Sequence, residues 1–167
     1  MKRIGYGQVE PNHLSAQRTS QIYAQLPAAS SISVLENGQF VKYDYAAGEV
    51  NFTGEGEWML VFNEIKLYKD TQRPRDFALV NTNYTDKEMT PRVFKTNVGD
   101  IFTTNCLEKA GAKDVETEMT DLSVGDKLGI NSNGFLEKDA ESDIVFKVVK
   151  VYTMPDSQAG VKVQRIK

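Results

Sequence analysis

Apolar positions in this chain recur mostly with a period of two, in short runs separated by turn residues. The pattern predicts strands rather than helices. Ile32, Val34 and Leu35 lead to Asn37-Gly38, and Phe40, Val41, Tyr43 and Tyr45 follow it. Asn-Gly suits a two-residue hairpin because both central residues of a type I′ turn have positive φ. Ala46-Ala47-Gly48 and Gly54-Glu55-Gly56-Glu57 break the chain on either side of a short run at 50–53. Trp58-Met59-Leu60-Val61-Phe62 is continuous rather than alternating, which predicts a strand buried on both faces in the middle of the fold. Ile65, Leu67 and Tyr68 then alternate with Lys66 and Lys69 in a strand-like pattern. Residues 70–76 are charged, contain Pro74 and read as a loop, and 77–80 read as a short strand. Apolar runs return at 93–94, 101–104, 122–130, 144–152 and 161–166, while 108–120 show no firm pattern. In the last run Val161, Val163 and Arg165 share one face and Lys162, Gln164 and Ile166 the other. About nine strands with little helix predict an all-β fold, a small β-barrel or sandwich.

Residues 1–30 differ from the rest. Gly5, Gly7, Pro11 and Pro27 interrupt them and polar side chains dominate. Leu14, Arg18, Ile22 and Leu26 fall at spacing four, which allows a brief helix, although Thr19, Ser20 and Ile22 have modest helix propensity. The segment buries little by itself, so it is expected to be either a solvated tail or an extended N-terminal arm that orders on another subunit. Tyr6, Leu14, Ile22, Tyr23 and Leu26 are the apolar anchors, hence the expected partner-binding residues, of such an arm. Two units result: an arm at 1–30 and a β-barrel domain at 31–167, with an insertion at 70–91.

Composition narrows the function classes. Twenty Lys and Arg against 23 Asp and Glu give a formal charge of −3 in 167 residues. A general nucleic-acid binder needs clustered cations, so nucleic acid is an unfavoured partner, although a basic face can hide in an acidic total. The single cysteine, Cys106, excludes an intramolecular disulfide framework and a Cys-rich zinc site. It reads as a small buried hydrophobe, in a protein assembled in a reducing cytosol. No apolar segment follows Lys2 and Arg3, so no export signal is expected, and no run approaches the length of a membrane span.

The search for chemistry finds no catalytic, cofactor or metal site, and the chain is not expected to be an enzyme. His13 lies alone in the polar N-terminal segment, without a Ser-His-Asp or Cys-His constellation. Asp114, Glu116, Glu118 and Asp121 are close in sequence but lack the glycine-centred pattern of a calcium loop. Gly54-Glu55-Gly56 has neither a P-loop lysine nor a following helix, so it reads as a turn. Tyr43, Tyr45, Phe52 and Tyr68, with Lys42, Lys66 and Lys69 nearby, could form a stacking platform for a single strand; core packing explains such aromatics more simply.

One phrase occurs twice: Val98-Gly99-Asp100-Ile101-Phe102 and, loosened, Val124-Gly125-Asp126-Lys127-Leu128. Each aspartate reads as the cap of a turn before a strand. The second copy, Asn133-Gly134-Phe135-Leu136, and the closing pair through residues 145–148 and 161–163 resemble the small β-barrels of tailed-bacteriophage head proteins. Residues 5–15 and 36–44 are similar to phage structural proteins encoded beside the major capsid protein. The resemblance implies a capsid decoration, or auxiliary head, protein. It would bind the major capsid protein on the virion surface after assembly in the host cytoplasm, as a homo-oligomer with a trimer favoured. The size of the chain and the 70–91 excursion depart from the smallest such proteins. A single-stranded nucleic-acid or glycan-binding barrel, a head fibre and a head–tail joining protein are the alternatives.

Overall fold

The computed structural model describes residues 5–13, 22–80, 89–107 and 122–167, and shows an all-β chain whose sheets include a curled half-barrel. The strands are β1 (Val9–His13), β2 (Ile22–Gln25), β3 (Val34–Leu35), β4 (Phe40–Asp44), β5 (Glu49–Asn51), β6 (Met59–Val61), β7 (Leu79–Val80), β8 (Arg92–Phe94), β9 (Ile101–Thr104), β10 (Lys127–Ile130), β11 (Leu136–Lys138), β12 (Phe146–Thr153) and β13 (Ala159–Arg165). They form a six-stranded sheet in the order β1-β9-β13-β12-β10-β11, a five-stranded sheet in the order β2-β8-β6-β4-β5, and the pair β3-β7. All the ladders between these strands are antiparallel.

The continuous apolar run around β6 has a direct structural cause. β6 is the middle strand of the five-stranded sheet, and Met59, Leu60 and Val61 are all buried. Leu60 joins one core, with Phe40 and Phe94 from its own sheet and Phe102, Leu128, Phe146, Val161 and Val163 from the six-stranded sheet. Met59 and Val61 point the other way, into a second core with Val41, Val93, Ala28, Ile32, Leu35 and Met89. The five-stranded sheet is thus a layer between two cores. Phe40, Phe102 and Phe146 form the centre of the first, with ring centroids 5.5 to 6.5 Å apart. Burying each such ring contributes roughly 1.5–3 kcal/mol.

The two Val-Gly-Asp phrases fold into the same object. Gly99 and Gly125 have φ of +98° and +101°. Asp100 N–H donates to Asn97 O at 3.0 Å, and Asp126 N–H to Ser123 O at 3.1 Å. Each carboxylate accepts from the backbone N–H that opens its turn: Asn97 N to Asp100 Oδ2 at 2.8 Å and Ser123 N to Asp126 Oδ2 at 2.9 Å. Positive φ at the third position is the geometry of a type II turn. Each glycine then donates to a neighbouring strand that donates back to the following aspartate: Gly99 N to Arg165 O with Arg165 N to Asp100 O, and Gly125 N to Val148 O with Val148 N to Asp126 O. This is a bulge with glycine at its first position, which fixes where β9 and β10 join the sheet.

The Asn-Gly phrases behave differently from expectation. Asn37-Gly38 is a turn, with Gln39 N–H donating to Glu36 O at 3.2 Å, but it does not join a hairpin. β3 pairs with β7 and β4 with β5 and β6. Gly38 has positive φ and Asn37 does not, so the turn is not type I′. The Asn37 side chain instead bridges to Asn63, accepting from its N–H at 2.7 Å and donating to its carbonyl at 3.0 Å. Asn133-Gly134 does close a hairpin, between β10 and β11, where Ile130 faces Leu136 across a longer loop. Gly54-Glu55-Gly56 is a turn against β4, with Gly56 N–H donating to Tyr43 O at 3.0 Å.

The strand-like pattern at 65–68 forms no ladder, and 70–80 fold into a turn, a 3-10 turn at Pro74–Asp76 and β7. The carboxylates Asp114, Glu116, Glu118 and Asp121 and residues 81–88 of the 70–91 excursion lie outside the described residues.

Candidate functional site

The described parts of residues 1–30 are seated on the chain's own body. β1 is an edge strand of the six-stranded sheet on β9, and β2 an edge strand of the five-stranded sheet on β8. Within the expected arm at 1–30 the described stretches thus include two edge strands, and residues 14–21, on which most of the expected brief helix falls, lie outside the described residues. Ladder hydrogen bonds supply what the polar sequence lacks in apolar area.

Side chains of both sheets fasten this segment. Tyr6 N–H donates to Arg75 O at 2.7 Å, and Gly7 N–H to the buried Glu36 Oε2 at 2.6 Å. Gln8 N–H donates to Asn105 Oδ1, and Gln8 Nε2 to Asp156 Oδ2, both at 2.8 Å. Farther along, the Tyr152 hydroxyl donates to Glu10 Oε2. Burial first, and then Glu10, hold that hydroxyl above the ordinary tyrosine value. Burial raises the Asp156 carboxyl, but hydrogen bonds from Gln8 and Gln158 outweigh it and leave it below the ordinary value. Cys106 is fully buried, as expected, and a Cβ added at Gly7 would lie 2.7 Å from its Sγ.

Of the expected partner-binding residues, Tyr6 and Leu26 have described side chains. Tyr6 is half-buried beside Arg75, and Leu26 packs on the second core. Ile22 and Tyr23 lie in β2, and Leu14 falls outside the described residues. The aromatic platform does not assemble. Tyr43 and Tyr45 meet edge to face at 4.4 Å, Phe52 packs against both cores, and Tyr68 stands elsewhere, on the ledge described next. Lys42 caps the buried Trp58 at 4.9 Å from its ring centroid.

The most prominent exposed apolar feature is that ledge, which pattern reading took for a strand. Asn63 ends β6's path: its backbone is held by Asn37, and its Oδ1 accepts from Arg92 N–H at 2.7 Å. Beyond it the chain runs outward. Ile65, Leu67 and Tyr68 are 39%, 41% and 85% exposed. No hydrogen bond to any described residue holds the backbone of Ile65, Lys66 or Leu67. Gln72 Oε1 accepts from Tyr68 N–H at 2.7 Å and Lys69 N–H at 3.1 Å and turns the chain back. A groove of about 590 Å³ lies between the outgoing and returning segments, lined among others by Leu67, Tyr68, Phe77, Leu79 and Arg92. Exposed apolar side chains here stand beside backbone that no described residue pairs. The signal in the sequence was the charged Asp70–Pro74 turn directly after the alternation.

Among the described residues no group of three His, Cys, Asp or Glu side chains could hold a metal ion, and no helix is long and apolar enough to cross a membrane. Comparison finds no matching protein family, no matching curated protein and no matching solved structure.

Proposed function

We propose that this protein is a structural component of a tailed-phage virion that decorates the capsid by binding the major capsid protein. The observation that carries the reading is the ledge at 64–68, a projecting extended segment that a rigid two-sheet body holds beside a groove. Such a segment adds to a partner's sheet through the backbone groups of residues 65–67, which no described residue pairs, while Ile65, Leu67 and Tyr68 supply apolar contact. Among the described residues β2 is an edge strand, and it offers a second strand edge for a neighbouring subunit. Repetition over a symmetric shell, with trimers favoured, turns modest contacts into firm attachment. The Val-Gly-Asp and Asn-Gly phrases that resemble phage head barrels support the same assignment.

The test is binding of the purified protein to assembled heads that lack it, read by co-sedimentation. The wild type binds and raises the heads' thermal stability. A Leu67→Asp/Tyr68→Asp variant, folded by circular dichroism, does not bind. Wild-type protein that stays in the supernatant, or a ledge variant that binds normally, would overturn the reading.

A further inference from the structure

The outer face of the six-stranded sheet carries a concentration of cation that the whole-chain charge conceals. Phe146, Val148, Val161, Val163 and Leu128 point into the first core. Their neighbours Lys147, Lys162 and Lys127 therefore point outward, as does Lys150, which precedes the core-facing Val151. Strand register places these lysines side by side: Lys127 faces Lys147 across β10 and β12, and Lys150 faces Lys162 across β12 and β13. Partners in such ladders sit about 5 Å apart at Cα. Like charges directly opposite each other destabilise a sheet. None of these lysines has an ion pair with a described residue. Acids flank the band at its margins: Asp139 follows Lys138 opposite Lys127, its N–H donating to the Lys127 carbonyl at 3.1 Å, and Glu10, two strands from Lys162 on the same row, accepts from the Tyr152 hydroxyl.

An aromatic ring lies within the band. Lys150 Nζ is 5.5 Å and Lys162 Nζ 6.0 Å from the centroid of Tyr152. A ring flanked by cations, on a sheet face, is the combination that non-specific single-strand binders use. A protein partner fits less well, because lysine is depleted from the centres of protein interfaces.

We infer that this face binds the phosphate backbone of single-stranded nucleic acid, with Lys127, Lys147, Lys150 and Lys162 as the phosphate contacts and Tyr152 as a stacking surface. The bound polyanion offsets the repulsion within both lysine pairs. Bases are not read, so sequence preference is weak. None of these lysines lines the groove beside the ledge, so the inference stands apart from the proposed docking there.

The experiment is fluorescence anisotropy of a labelled oligothymidine with the full-length protein over a range of salt. Neutralisation of four phosphates gives a slope of log K against log salt of about −3. Lys147→Gln/Lys150→Gln/Lys162→Gln should lower low-salt affinity at least about tenfold and flatten the slope to about −1, the value for one remaining contact. Because it removes repulsion, this variant should keep or raise the melting temperature, so lost binding is not lost folding. Absence of binding at low salt, binding unchanged in the triple variant, or tighter binding to a duplex of equal length would each overturn the inference.

Discussion

The backbone N–H of Phe40 donates to the carbonyl of Gly134 at 2.7 Å, joining the β10–β11 hairpin loop to β4 of the five-stranded sheet. Beside it Gln39 Nε2 donates to Asn133 O at 2.8 Å. The two Asn-Gly phrases, about a hundred residues apart, therefore meet where the two sheets close over the first core.

This junction predicts an unequal response of two glycines. Gly134 has φ +80°, and a Cβ there would overlap the Phe40 carbonyl. Gly48 has φ +69°, and a Cβ there would meet nothing within 4 Å. Gly48→Ala should cost about 1 kcal/mol, the conformational penalty alone. Gly134→Ala adds a backbone clash and should cost about 3 kcal/mol or more. Urea unfolding of both variants decides it; equal losses would mean that the loop moves away freely from Phe40.

Asn37 makes a second prediction. Its amide satisfies both backbone groups of Asn63, and both residues are buried. Asn37→Ala leaves a buried N–H and a buried carbonyl without that partner, at about 1–3 kcal/mol each. The loss should be about 3 kcal/mol in urea unfolding. Amide exchange should accelerate first at Asn63 and at Arg92, whose N–H groups are accepted by Asn37 and Asn63. Unchanged exchange there would show that Asn63 is held by something other than Asn37.

These cases separate what pattern shows from what it hides. The run at 58–62 announced a strand buried on both faces, because the layers on its two sides leave no polar position. Alternation at Ile65, Leu67 and Tyr68 looked the same as a laddered strand. Hydropathy records which side chains differ, not whether a neighbour pairs the backbone. In the N-terminal segment hydropathy is equally silent about pairing: β1 and β2 are joined by ladders, and Gln8 just before β1 is held by the distant side chains of Asn105 and Asp156. The lysine face was equally hidden, since Lys127 and Lys147 become neighbours only through register. Turn chemistry was legible at Asp100 and Asp126, where capping needs only residues three apart.

Stability should fall at both ends of the pH scale for identifiable reasons. Asp156 sits below its ordinary value in the folded state, so its contribution is present above the unfolded carboxylate value near 4 and is lost as pH falls through the folded one. Asp44, capped by the Ala47 N–H, and Asp126, held by Lys138, carry the same sign. Tyr152 is raised, so its contribution is full below about pH 10 and is lost as pH rises through its folded value. Asp156→Asn should lower stability at neutral pH and flatten the acid limb. Tyr152→Phe should flatten the alkaline limb and leave the acid one unchanged. Melting temperatures across pH measure both, and limbs that keep their shape in the variants would remove these groups as the cause.

The paired Val-Gly-Asp turns permit an internal comparison within one molecule. Both aspartates accept the N–H that opens their turn, at 2.8 and 2.9 Å. Their surroundings differ. Asp100 is 5% exposed, whereas Asp126 is reached by solvent and by Lys138 Nζ at 2.9 Å. Water can replace the lost acceptor at Ser123 more easily than at Asn97, and an exposed ion pair contributes little. Asp100→Ala should therefore cost about 1–2 kcal/mol, and Asp126→Ala clearly less. Raised salt should narrow the Asp126 effect and leave the Asp100 effect unchanged, since screening acts on the exposed pair alone. Both follow from urea titrations at two salt concentrations. A larger loss at Asp126 would mean that Lys138, rather than the capped backbone, is what that turn depends on.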